Sequence, residues 1–84
     1  MADRTYLLLL ALADRLTAKH ATHVVDERLV LAQALVVTEA AYGSSAYAER
    51  VERALVESLP PIRHGDTRDV YAARLRLIAE GATA

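Results

Sequence analysis

Apolar residues recur along this chain at the three-to-four-residue spacing of helices, and the pattern breaks three times. The first predicted helix covers residues 3–20, with Leu8, Leu9, Leu12 and Leu16 on one face. The second covers residues 23–42, with Thr22 as its N-cap and Gly43 where a left-handed C-cap is wanted. The third starts after Ser44 or Ser45 and ends by Leu59, because Pro60 and Pro61 cannot continue it. The fourth starts after Asp66 or Thr67, either of which is a good N-cap, and stops at Gly81. The Val-rich stretch 29–38 is assigned to helix, since its flanks carry helical caps and no second strand exists to pair with it. Breaks at 20–22 and 43–45 are short, so consecutive helices should double back on each other. The expectation is an all-α fold: one domain over residues 1–84, built as a small antiparallel four-helix bundle.

Placing residues at about 100° per step separates one-sided from two-sided helices. The third helix is one-sided, with Tyr47, Val51, Ala54, Leu55 and Leu59 opposite Glu49, Arg50, Glu52, Arg53 and Glu57. In the first, Tyr6, Leu10, Ala13 and Thr17 form a second stripe about 120° from the Leu8, Leu12 and Leu16 face. The second has no clean polar side. Leu29, Ala32, Val36 and Ala40 form one stripe, Leu31, Leu35 and Tyr42 another, and Val30, Ala34, Val37 and Ala41 fill much of the rest. In the fourth, Tyr71, Leu75 and Ile78 oppose Val70, Ala73 and Leu77. A domain of this size cannot cover two faces of three helices. An uncovered apolar patch marks an interface, so the bundle is expected to be completed by oligomerisation or by a protein partner. The third helix has a complete polar face and the fourth has Asp69, Arg76 and Glu80. The expected interface therefore lies on the first two helices, at Tyr6, Leu10, Leu31, Leu35 and Tyr42.

Size strengthens that expectation. At 84 residues and 9.2 kDa, folding removes only about 63% of the unfolded chain's surface from water. Cysteine is absent, which excludes both disulfide staples and a thiolate zinc module and favours a reducing, cytoplasmic setting. With 10 basic and 11 acidic residues there is no overall field to attract nucleic acid or an anionic membrane. The apolar run 6–13 is far short of the roughly 20 residues needed to span a bilayer. Ala11-Leu12-Ala13 has the small-x-small form of a signal cleavage site, but Asp3 beside Arg4 spoils the basic leader that should precede it.

Chemistry-bearing motifs are few. His20, His23 and Glu27 would share a face of one continuous helix, a donor set suited to zinc or iron. Thr22 starts a new helix between them, however, and dipole complementarity at helix ends explains the same residues. No metal and no cofactor are expected. Ser44, Ser45 and Ser58 lack any nucleophile-elbow context, and His64-Gly65-Asp66 reads as a turn before a helix as readily as an acid/base pair. No enzymatic activity is expected. Residues 39–45 have the caps and glycine of a helix-turn-helix, but the recognition helix would then carry Glu49, Glu52 and Glu57 against Arg50 and Arg53, which phosphates disfavour. Arg74 and Arg76 lie about 160° apart on the fourth helix, so together with Arg63 and Arg68 they make no single basic patch. The function read from the sequence is a non-catalytic helical interaction module. A helix-turn-helix DNA-binding regulator and a His/carboxylate metal-binding protein are the alternatives.

Overall fold

The computed structural model describes residues 5–83, with side chains over 5–81. Four helices follow one another: α1 (Thr5–Thr17), α2 (Glu27–Tyr42), α3 (Ala46–Ser58) and α4 (Arg68–Thr83). No strand occurs among the described residues; a single antiparallel bridge pairs Val24 with Thr67. The fold is all-α and compact, with a Cα radius of gyration of 12.2 Å. The expected start of the first helix at residue 3 lies outside the described residues.

α1 is the hub. It packs against each of the other three helices, and α2 packs against α3. Leu8, Leu9, Leu12, Ala13 and Leu16 of α1 are all buried, Leu12 and Ala13 completely. Facing them are Val30, Ala34 and Val37 from α2, Leu55 from α3, and Tyr71, Ala72, Leu75 and Ala79 from α4. Burying one leucine side chain contributes about 1.5–3 kcal/mol, so these few residues supply a large part of the driving force for so short a chain.

α1 and α4 run antiparallel. Near one end Arg68 Nη1 donates to the Lys19 carbonyl (3.2 Å), and further along Arg76 Nη2 reaches Asp14 (3.1 Å) and Thr17 Oγ1 (3.4 Å). α2 and α3 form a tight hairpin, as expected from the short break. Ser45 caps α3 by accepting from the Ala48 N–H (3.2 Å). Gly43 ends α2 at φ 77°, ψ −155°, and its N–H donates to the Glu39 carbonyl (2.8 Å). That backbone region is closed to residues with a Cβ, so glycine is required there.

The connection between α1 and α2 departs from the expectation. It spans residues 18–26, and α2 is capped by Asp26, whose side chain accepts from the Leu29 N–H at 2.8 Å. Thr22 caps nothing. The reason lies in tertiary hydrogen bonding: Val25 N–H donates to the Asp66 carbonyl, Arg68 N–H to His23 and Asp69 N–H to Ala21, each at 2.9 Å. Two β-branched valines at 24 and 25 suit this extended path, and Val25 buries its side chain in the core. α4 also runs through Gly81 to Thr83 instead of stopping at the glycine.

The α3–α4 connection is held from below. Tyr71 is buried and its hydroxyl donates to the Pro60 carbonyl (2.8 Å). Asp66 is buried too, and accepts from Arg74 Nη1 (2.8 Å), Arg74 Nη2 (3.2 Å) and the Arg63 N–H (2.8 Å). Hydrogen bonding from Arg74 and from the Arg63 amide holds the Asp66 carboxyl below its ordinary value of 3.8 and raises Arg74 in return. Burial raises the Tyr71 phenol.

Two outcomes follow from these connections. Gly43→Ala should lower the free energy of unfolding by about 1–3 kcal/mol in a urea titration, from backbone strain alone, since nothing lies within 4 Å of the added Cβ. Because folding lowers the Asp66 pKa, its stabilisation is complete above the unfolded value near 3.8 and is lost as the pH falls below it toward the folded pKa. Asp66→Asn should therefore lower the thermal midpoint at pH 7, and the gap to wild type should narrow on acidification through that window.

Candidate interaction surfaces

The residues set aside for chemistry in the sequence are mostly occupied by structure. His20 sits at φ 57° in the α1–α2 connection, its ring stacked on His23 with centroids 4.6 Å apart, while Glu27 opens α2. The continuous helix that would have aligned these three does not form. Among the described residues no group of three or more His, Cys, Asp or Glu side chains is placed to hold a metal ion. Ser58 donates to the Ala54 carbonyl (2.9 Å). Asp66 is committed to Arg74 and not to His64; residues 63–66 form a turn closed by the Asp66 N–H on the Arg63 carbonyl (3.0 Å), with Gly65 at φ 85°. Arg68, Arg74 and Arg76 each bind groups of this chain, as described above.

The expected interface residues separate into different settings. Tyr6 and Leu10 are partly buried and pack on the core. Their stripe faces α4, since Ala13 on it is fully buried and Thr17 on it meets Arg76. Leu31 and Leu35 are exposed, at 37% and 42%, but they look along α3: Leu31 shares a recess with Val56 and Leu59, and Leu35 shares one with Ala48 and Glu52. Tyr42 alone borders the groove between α1 and α2. The structure therefore does not bring the five onto one surface. On α2 the face that enters the core is Val30, Ala34 and Val37, because small side chains let α2 lie close against the leucines of α1. α4 also leaves Val70 and Leu77 exposed, so uncovered apolar surface is not confined to the first two helices.

Two concave surfaces emerge. The first is a groove of about 580 Å³ between α1 and α2, lined by Leu7, Ala11, Ala18, Val37, Ala40 and Tyr42, with Asp14 and Arg15 as its charged residues. Leu7 is half exposed and was on neither stripe assigned to the first helix. Its signal was its spacing: Leu7, Ala11, Asp14 and Ala18 lie at i, i+4, i+7 and i+11, a third face of a helix that is apolar nearly all round.

The second surface follows the outer side of the α2–α3 hairpin. A recess of about 410 Å³ lies between Glu27, Val30 and Leu31 of α2, Val56 of α3, residues 59–62 and Tyr71 of α4. Val56 also borders a patch on α3 with Glu49, Glu52, Arg53 and Glu57, and Glu49 and Glu52 border the recess beside Leu35 and Glu39. Shared residues make the three recesses one continuous surface. Glu49, Glu52 and Glu57 were read from sequence as a polar face and Glu27 as a dipole partner, so their convergence with Glu39 on Leu31 and Leu35 was missed.

No helix among the described residues is long and apolar enough to cross a membrane. No protein-family model, no curated protein and no solved structure matches the chain.

Proposed function

We propose that this chain is a non-catalytic helical interaction module that associates with a second copy of itself through the α1–α2 groove. The observation that carries the reading is the groove itself: Leu7 stands half exposed on the rim of a concave surface lined largely by alanine, valine and leucine. Exposed apolar concavity on a small domain is the usual mark of a protein interface.

Self-association suits the chemistry of the rim. Asp14 and Arg15 are opposite in charge and exposed on the rim, Asp14 bound to Arg76 (3.1 Å) and Arg15 to Gln33 (2.9 Å), so a two-fold arrangement there brings no net like charge together. Alanines at 11, 18, 40 and 41 leave room for the Leu7 side chain of the opposing copy. Duplex binding through α3 is a poorer reading, because Glu49, Glu52 and Glu57 would lie against phosphates.

Light scattering after gel filtration should find a dimer at tens of micromolar, about the range where modest interfaces populate. Leu7→Glu should yield a folded monomer, since a charge in an apolar contact must be stripped of water or keep the copies apart. Leu10→Glu is the contrasting variant: Leu10 packs on the core, so it should lower the thermal midpoint. A monomeric wild type at that concentration, with Leu7→Glu behaving identically, overturns the proposal.

A further inference from the structure

On α2, Glu27, Leu31, Leu35 and Glu39 recur every four residues, so two acidic side chains bracket two exposed leucines along one line of the helix. Antiparallel to that line, α3 contributes Glu49, Glu52, Val56 and Glu57. The result is an apolar strip with Glu27 and Glu39 at the two ends of its α2 line and Glu49, Glu52 and Glu57 along its α3 side. Of the residues bordering this continuous surface, five are glutamates and one, Arg53, is basic. No ion pair within the described residues involves any of the five. Arg50, the other cation of α3, lies over the Tyr47 ring, 5.7 Å from its centroid.

Tyr71 of α4 and residues 60–62 border this side of the hairpin at its Glu27 end, and no helix packs along the rest of it among the described residues. α4 makes its helix–helix packing on α1, and α1 lies against the inner side of α2 and α3. From Glu27 to Glu39 is twelve residues, about 18 Å at 1.5 Å per residue, or a little over three turns. A second copy of the chain is a poor occupant: this surface would set acid against acid, and like charges across an interface disfavour the pairing.

We infer that the outer α2–α3 groove docks a basic amphipathic helix of a partner protein. About three turns of that helix lie along the groove. Leucine-type side chains at its i, i+4 and i+7 positions fill the line from Leu31 and Leu35 to Val56, while lysines or arginines toward its two ends meet Glu27 and Glu39 and others on its α3-facing flank meet Glu49, Glu52 and Glu57. The apolar strip supplies most of the affinity. The exposed charges set orientation and on-rate and make binding sensitive to salt. This surface is separate from the α1–α2 groove and does not depend on self-association.

The probes are two fluorescein-labelled helical peptides of about 14 residues, sharing leucines at i, i+4, i+7 and i+11. One carries lysine and the other glutamate at the flanking positions. The lysine peptide should bind the full chain at least about tenfold more tightly than the glutamate peptide and weaken as NaCl rises from about 50 to 500 mM. Amide shifts in the wild-type protein should change along residues 27–39 and 49–57. The double variant Glu49→Lys with Glu52→Lys, and separately Leu35→Ser, should each lose about tenfold in affinity with unchanged circular dichroism, and Leu7→Glu should bind as wild type does. Equal binding of the two peptides, or shift changes confined to the α1–α2 groove, overturns the inference. So does loss of self-association in Leu35→Ser, because the groove is then occupied by a second copy. Failure of peptide binding in a protein that still dimerises through Leu7 leaves the self-association reading standing.

Discussion

Everything in this fold is arranged around the need to bury α1. A thirteen-residue helix with leucines at 7, 8, 9, 10, 12 and 16 has no side that water tolerates well, and in so small a domain only a central position can cover most of it. The consequence is a hub in place of a symmetric bundle. α4 makes the most extensive packing on α1, α2 presents its small-residue face, and Leu55 of α3 joins the same core. Leu12 and Leu16 are both buried in this shared core, and truncating either costs about 2–5 kcal/mol. For a chain this short that is a large share of the whole stability.

A second set of contacts fixes how the ends of the helices meet. Asp66, Arg74 and Tyr71 bind the 60–66 segment to the side of α4, and the backbone of residues 66–69 in turn holds residues 21–25 in an extended path. The ion pair here differs from that of Arg76 with Asp14. The Asp14 carboxylate is 78% exposed, and pairs so open to water contribute little. Asp66 is enclosed, receives three hydrogen bonds, and places the Asp66 carbonyl where the Val25 N–H can use it. Residues that resembled an acid/base corner are therefore a structural clasp.

Burying α1 also determines what remains outside. Because α2 turns valine and alanine inward, its larger leucines at 31 and 35 are left beside α3, among glutamates. Leu7 is left on the opposite flank, among alanines and one pair of opposite charges. The two exposed surfaces consequently differ in chemistry: one is nearly neutral, the other acidic. We assign the first to a second copy of the chain and the second to a basic helix.

The helical class, the positions of α3 and of the Gly43 turn, and the principal core face of α1 were legible because each depends on local chemistry. The leucine spacing, Ser45 before a helix, Pro60 after one and a glycine at a positive φ all act within one or two turns. Other features required partners distant in sequence. Thr22 and Asp26 are both acceptable caps, and only the hydrogen bonds of residues 21–25 to residues 66–69 select Asp26. α2 offers three apolar faces of similar strength, and the choice among them was made by the surface of α1, which accepts small side chains more closely than large ones. Leu10 was read as an interface residue and packs partly buried on the core, while Leu7, one turn away, is half exposed. Periodicity counts the faces of a helix; which face is covered depends on what lies across from it, and that is a property of the assembled chain.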